Sequence, residues 1–336
     1  MSAYLKEGTI EMTTCPSVSA YAAAVGKMEG DGPLRDCFDY IADDVTMGEV
    51  SWEKSESKFQ QYAFNTALSK GGFAEKDISF IFAGDLLNQC TGSSYNLRET
   101  NIPVVGLYGA CSTMAESLAL ASVFIDNSVG CNAAALTSSH FCSSERQFRF
   151  PLNYGGQRTP TSQWTATGSG CAIVSPHGKP PYVKAVTIGT IQDMGIKDAN
   201  NMGAAMAGAA YSTISKHLAN TDTSIDDYDM ILTGDLGKVG SDLLCDLFNK
   251  DNVDISQKHN DCGLMIYDME KQDVHAGGSG CGCSARVLCG YILQEIAQGK
   301  LKNVLFAATG ALLSPTIVQQ GESIPGISHA VHLSYS

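Results

Sequence analysis

At 336 residues the chain exceeds what a single hydrophobic core usually supports, so two domains or two fused halves are expected. Its 44% apolar and 17% charged residues describe a packed globular protein, not a disordered one. A formal charge of −13 argues against a broad electrostatic footprint for nucleic acid or anionic lipid. Met1 to Thr14 is mixed and polar, without the basic and apolar regions of a secretory signal. No apolar run approaches the roughly 20 residues of a spanning helix, so direct membrane insertion is not expected.

Twelve cysteines raise a redox or metal reading, but no CxxC pair exists, and Cys15, Cys131, Cys171, Cys245 and Cys289 lie in or near apolar runs. Free thiols in a reducing compartment, packed as small hydrophobes, are the expectation. Cys281-x-Cys283 lacks two further ligands at a recognisable spacing. No metal and no cofactor is expected.

In chain order, Trp52 to Leu68 reads as a helix with Phe59, Tyr62, Ala63 and Thr66 on one face. A strand follows in Asp77 to Leu86, ending in Gly84-Asp85-Leu86. Gly109-Ala110-Cys111-Ser112-Thr113 opens a helix (Met114 to Asn127) that leads to a strand, Asn132 to Ser138. The segment Phe141 to Trp164, rich in Gly, Pro and aromatics, reads as an insertion covering a pocket or reaching across a dimer seam. The order then repeats. Ala204 to Leu218 is a small-residue helix, and Asp227 to Leu236 echoes the first strand down to Gly234-Asp235-Leu236. Lys258-His259-Asn260-Asp261 reads as a solvated turn before a strand, Leu264 to Tyr267. Gly280-Cys281-Gly282-Cys283-Ser284 opens the second buried helix (Ala285 to Gln298), before a strand at Asn303 to Thr309. Strands alternating with helices predict mostly parallel sheets covered by helices. The halves divide into residues 1–195 and 196–336, with the insertion near 141–165 and a pocket where they meet.

Cys111 stands out chemically. Gly109 permits a tight strand-to-helix turn, and the helix start offers unpaired N–H groups and a positive dipole to a thiolate or bound anion. That favours a nucleophile or ligand contact. The ordinary alternative is a small residue at a crowded helix entry, with Ser112 or Thr113 as N-cap.

The two halves and Gly-Ala-Cys-Ser-Thr heading a buried helix resemble the thiolase and ketoacyl-synthase superfamily. Six segments carry a narrower likeness: Gly84 to Gln89, Glu145 to Arg149, Tyr154-Gly155-Gly156-Gln157, Asp261-Cys262-Gly263, Ala276 to Cys281 and Thr309 to Thr316. Together they resemble the stage V sporulation protein AD family from Gly32-Pro33-Leu34 to Pro325. The resemblance implies an α/β thiolase-like fold, two duplicated βα halves in α-β-α-β-α layers. It further implies a homodimer that binds dipicolinic acid, free or as its calcium chelate. Such a protein serves its uptake into the developing spore, working in the cytoplasm or at the spore inner membrane beside other stage V sporulation membrane proteins.

Condensation in the synthases needs a Cys with His and Asn, whose donors stabilise the charge developing on a thioester oxygen. Laid on that pattern, the His position falls at Asp235 and the Asn position at Cys281. An ionised carboxylate repels such an oxyanion, which favours a binding protein over an acyltransferase that keeps Cys111 as acyl acceptor. For the ligand, a flat dianion, the candidates are Cys111, His140, Arg146, Arg149, Asp85, Asp235, Ser279 and Cys281. Arg146 and Arg149 would share a helical face, or form surface ion pairs near Glu145. Asp85 and Asp235 would approach each other across the halves to receive a cation, or serve ordinary capping and turn roles.

Overall fold

The computed structural model describes residues 2–148 and 158–336. In the first half, strands β1 (Ser17–Val25), β2 (Phe80–Gly84), β3 (Val104–Leu107), β4 (Ala133–Ser139) and β5 (Gly168–Ser175) lie in the order β1-β5-β4-β2-β3. In the second, β6 (Tyr182–Ile188), β7 (Met230–Thr233), β8 (His259–Asp261), β9 (Asn303–Ala311) and β10 (Gly326–Ser334) lie in the order β6-β10-β9-β7-β8. Strand for strand the two orders are the same. The duplication legible in the Gly-Asp-Leu repeats is therefore a duplication of topology.

The sheets are mixed, not mostly parallel. In each, the first two pairings are antiparallel and the last two parallel. The cause lies in the connections. After β9 the chain carries only the short helix Pro315–Gln319 before β10, too little for the crossover that a parallel neighbour requires. The repeat turns over between Ser175 and Tyr182, ahead of residue 195. A division at 195 places β6 in the first half, yet β6 pairs with β10 of the second sheet. The two sheets touch edge to edge through the Tyr182–Ser17 pairing of β6 with β1.

Helices fill the layers by their apolar pattern. The first, α1 (Trp52–Gly71), is capped by Ser51, which accepts from the Lys54 amide, and stopped by Gly72 at φ 69°. It buries Phe59, Ala63, Phe64 and Ala67 against Ile81, Leu136 and Ile173 of the first sheet. Tyr62 lies outside that stripe, exposed and stacked on Tyr40 at 4.4 Å, contrary to the expected face. Next come α2 (Thr91–Leu97), α3 (Thr113–Asp126) and α4 (Phe141–Phe148). In the second half, α5 (Met202–Thr221) covers the outer face of its sheet beside α6 (Gly237–Lys250). Finally α7 (Cys281–Val287) continues through a π-helical turn, Leu288–Ile292, into Leu293–Ala297.

Between the sheets lie α3 and α7. Met114, Ala115, Leu118, Ala119, Ala121 and Ile125 of α3 are all buried, and a helix apolar on every side belongs inside. It packs with Val287, Leu288 and Leu293 of α7 and with Val304 and Phe306 of β9 in one core. The layers run helix, sheet, helix, sheet, helix.

One expected strand is absent where the sequence placed it. His259–Asp261 is the outer strand of the second sheet, and Cys262–Met265 is helical. Asp261 is buried and accepts from the amides of Leu236, Gly237 and Gly263, so this polar tetrapeptide is no solvated turn.

At Gly310, β9 runs against the turn that carries Cys111. A methyl group there would sit 2.5 Å from the Gly109 carbonyl oxygen and 3.1 Å from the amides of Cys111 and Ser112. Those are backbone atoms that cannot swing aside. Gly310→Ala should cost about 1–3 kcal/mol in urea unfolding, the usual penalty of overpacking; unchanged stability would show the two halves pack less closely here.

Candidate functional site

Cys111 sits in a single 3-10 turn, Ala110–Ser112, between β3 and α3. Ala110 takes a left-handed φ of 51°, which a non-glycine residue adopts only under constraint. Ser112 and Thr113 donate their hydroxyls to the carbonyls of Gly109 (2.6 Å) and Ala110 (2.7 Å). They lock the turn instead of capping α3, which has no side-chain cap.

A cavity of about 220 Å³ opens over this turn. Leu86, Tyr108, Phe148, Met202 and Leu312 give it an apolar wall, and Ser144, Thr165, Ser279 and Ser314 supply hydroxyls. Glu145 also lines it. Among the described residues no His, Lys or Arg does.

Asp235 stands beside the thiol. Its fully buried carboxyl group accepts from the Gly280 amide (2.9 Å) and the Ser279 hydroxyl (3.2 Å) on one oxygen, and from the Thr309 hydroxyl (3.2 Å) on the other. Burial pushes its pKa up, against these hydrogen bonds and one from the Cys111 thiol. Burial first, then the Asp235 and Cys281 charges, raise the Cys111 thiol well above its ordinary value. Cys281, buried at the start of α7, donates its thiol to the Ser138 carbonyl at 3.0 Å. The thiols are held as thiols. A helix start that should activate Cys111 is outweighed by desolvation and a neighbouring carboxylate.

The structure thus brings together Cys111, Asp235, Cys281 and Ser279. Asp85 lies behind Leu86 and does not pair with Asp235. It accepts from the Leu87 amide (2.9 Å) and from the amide and hydroxyl of Ser93 (2.8 and 2.7 Å). Its electrostatic neighbour is Glu56, whereas that of Asp235 is Asp261. No cation site forms between the two strand ends, and among the described residues no group of three His, Cys, Asp or Glu could hold a metal.

Two other candidates point elsewhere. His140 is buried, its Nε2 2.7 Å from the Val45 carbonyl and its Nδ1 accepting from the Cys142 amide. Burial lowers its pKa to about 4, so it contributes no positive charge. Arg146 turns to the surface, where it pairs with Glu53 and covers the Trp52 ring at 5.2 Å. The ion-pair alternative describes it, because α4 presents Ser144, Glu145 and Phe148 to the cavity and Arg146 to the far side. Arg149, like the rest of 149–157, lies outside the described residues.

The walls contributed by Tyr108, Phe148 and Met202 were not anticipated. Tyr108 follows β3 and Met202 opens α5, neither within a motif, whereas Leu86 lies in the repeated Gly-Asp-Leu, Phe148 in the Glu145–Arg149 segment and Leu312 in the Thr309–Thr316 segment.

Sheet order, layering and the Cys at the start of the buried helix define a thiolase-like protein of the ketoacyl-synthase III class of fold. Solved structures agree: 3-oxoacyl-[acyl-carrier-protein] synthase III from Aquifex aeolicus is similar at a TM-score of 0.57 and 11% identity, covering 95% of this chain and 100% of that one. Cerulenin-bound Xanthomonas campestris OleA is similar at a TM-score of 0.60 and 12% identity, over 95% and 96% of the two chains. The sequence model of the family described as stage V sporulation protein AD matches residues 6–334. Stage V sporulation protein AD of Bacillus subtilis (strain 168) is 44% identical over 314 residues, 94% of this chain and 93% of that protein. The chain belongs to the stage V sporulation protein AD family.

If Asp235 keeps the thiol protonated, Asp235→Asn should speed alkylation of Cys111 by iodoacetamide at pH 8. A fall of one pKa unit would give about tenfold. Timed labelling with peptide mass spectrometry reads the rate at Cys111 alone, and an unchanged rate rules out electrostatic restraint by Asp235.

Proposed function

We propose that this protein binds dipicolinic acid in the cavity above Cys111 and serves its uptake into the developing spore. Family membership supports the biological setting. The observation that carries the reading is the carboxyl group of Asp235 beside Cys111, where condensation would need a hydrogen-bond donor for a developing oxyanion. A site so built suits holding a ligand better than forming a carbon–carbon bond.

The cavity's size and mixed lining suit one small aromatic ring. Tyr108 and Phe148 offer faces for a pyridine, and the Ser144, Ser279 and Ser314 hydroxyls offer donors for carboxylates. With Glu145 and Asp235 close by, the neutral calcium chelate meets less repulsion than the free dianion. Calorimetry should therefore show saturable binding of dipicolinate, tighter with equimolar Ca²⁺, and lost in Ala311→Phe, which fills the cavity. A flat trace at millimolar ligand, with and without Ca²⁺, ends this reading. An acyl adduct on Cys111 after incubation with acyl-CoA, absent from Cys111→Ala, would restore the acyltransferase alternative.

Among the described residues no helix is long and apolar enough to cross a membrane. Action at the spore inner membrane therefore calls for partners, and other stage V sporulation membrane proteins are the ones we propose. A homodimer belongs to the same proposal. Among the described residues strand β3 pairs with β2 on one side only and leaves Val104 and Val105 exposed, an apolar edge. Two copies related by a twofold axis would satisfy each other's edge. Light scattering should give a dimer for the wild-type protein and a monomer for Val105→Lys; a monomeric wild type removes the dimer from the proposal.

A further inference from the structure

A network of side chains buried behind the cavity has no part in the reading above. Glu56, on α1 and fully buried, meets the Ser138 hydroxyl through Oε1 and the Ser143 hydroxyl through Oε2, both at 2.9 Å. The Gln60 amide nitrogen donates to both Ser93 (2.9 Å) and Ser138 (2.8 Å), which fixes the direction of the chain. Ser93 then donates to Asp85, and Ser138 to Glu56. The carboxyl groups of Glu56 and Asp85 close on the same spot. A methyl on Gly92 would lie 3.3 Å from Glu56 Cδ and 3.2 Å from Asp85 Cγ.

Hydrogen counting distinguishes the two acids. Asp85 receives three donors and donates to none, as a carboxylate should. Ser143 has one hydroxyl hydrogen but two oxygen neighbours, Glu56 Oε2 and the His140 carbonyl at 3.2 Å. The His140 carbonyl already accepts from the Ser144 amide at 3.0 Å, so Ser143 can donate to Glu56 in either state. What calls for a proton is the approach of two buried carboxyl groups, and Glu56, with two donors against three on Asp85, is the one that holds it.

The contacts of Glu56 lead to one wall of the cavity and to the packing behind Cys111. Ser143 belongs to α4, whose Ser144, Glu145 and Phe148 line it. Ser138 offers the carbonyl that receives the Cys281 thiol. We propose that Glu56 is a positioning residue for the Cys111 cavity: as the neutral acid it lies beside the Asp85 carboxylate and holds α4 and the Ser138–Cys281 contact in place, and as a second carboxylate it repels Asp85 and displaces them.

The charged and titratable groups around Glu56 are Asp85 at the end of β2, and Arg286 and Cys281 on α7. His140, whose carbonyl lies near Ser143, is neutral and bound to Val45. Burial, then the Asp85 charge, raise Glu56 to about 8, against the two serines and Arg286. The sign follows. Below about 4.5, folded and unfolded chains both keep the proton and the contribution to stability is complete. Between about 4.5 and about 8 only the unfolded chain releases it, so stability falls with rising pH and then levels.

Three full-length proteins test this: wild type, Glu56→Gln as the permanent neutral analogue, and Glu56→Ala. Melting temperature against pH should decline less steeply in Glu56→Gln than in wild type across that interval. In its consequence for the ligand the inference rests on the dipicolinate reading. Wild-type affinity for dipicolinate should fall about tenfold in all between pH 7 and pH 9. Glu56→Gln should bind equally at both, and Glu56→Ala weakly at both. If no protein binds dipicolinate at any pH, the ligand reading fails while the melting profiles still judge Glu56. Parallel profiles for wild type and Glu56→Gln, or a Gln variant as impaired as Ala at pH 7, overturn the proposal.

Discussion

A carboxyl group removed from water must be saturated with donors or hold its proton, and Asp235 is buried at the junction of the two halves. Its donors come from three places: Ser279 and Gly280 ahead of α7, Thr309 on β9, and the Cys111 thiol from the first half. Satisfying one side chain therefore fixes the start of α7, the end of β9 and the Cys111 turn relative to one another. The close pass of Gly310 against Gly109 and Cys111 is the backbone side of the same constraint. The cavity is the space left over once these segments have met.

The duplicated halves use their strand-end aspartates differently. Asp85 is spent locally, taking the Leu87 amide and Ser93 to hold the loop after β2. In the second half the equivalent loop, Leu236-Gly237, is held by Asp261 from β8. That exchange of duties frees Asp235 to turn toward Cys111. The halves thus differ by a handover between neighbouring carboxylates, while the strand order stays the same.

The duplication was legible because Gly-Asp-Leu recurs with matching flanks, and the buried helices because Met114 to Ile125 is apolar on every side. Strand direction was not, since local pattern is the same in parallel and antiparallel neighbours and only the length of the connection decides. His140 and Arg146 have the chemistry of anion ligands, but residue type carries no information on which way a side chain points at or beside a short helix. Lys258 to Asp261 looked solvated because an outer strand can be polar, and because Asp261 is buried for the sake of amides distant in sequence. Cys111 and Asp235 could be found because each sits at a strand end, where a repeated motif marks the position. The walls from Tyr108 and Met202 belong to no motif.

The balance of charge in this interior explains why a scaffold shared with condensing enzymes presents so quiet a thiol. Glu29, Glu56, Asp85, Asp235 and Asp261 are all buried there, with Arg286 the buried guanidinium among them. Glu29 is committed to the Tyr267 hydroxyl and the Thr167 amide. Gly168 makes room for Arg286, since a methyl there would lie 2.9 Å from its Nη1. An excess of acids in a low-dielectric interior favours every protonated form within reach, whether of a carboxyl or a thiol. Cys111 and Cys281 each feel Asp235, and Cys281 feels Asp85 and Glu56 as well. Nucleophilic chemistry at Cys111 would require a base able to take its proton and a donor able to steady an oxyanion. The Asp235 carboxyl group beside it offers no positive charge to steady either a thiolate or an oxyanion.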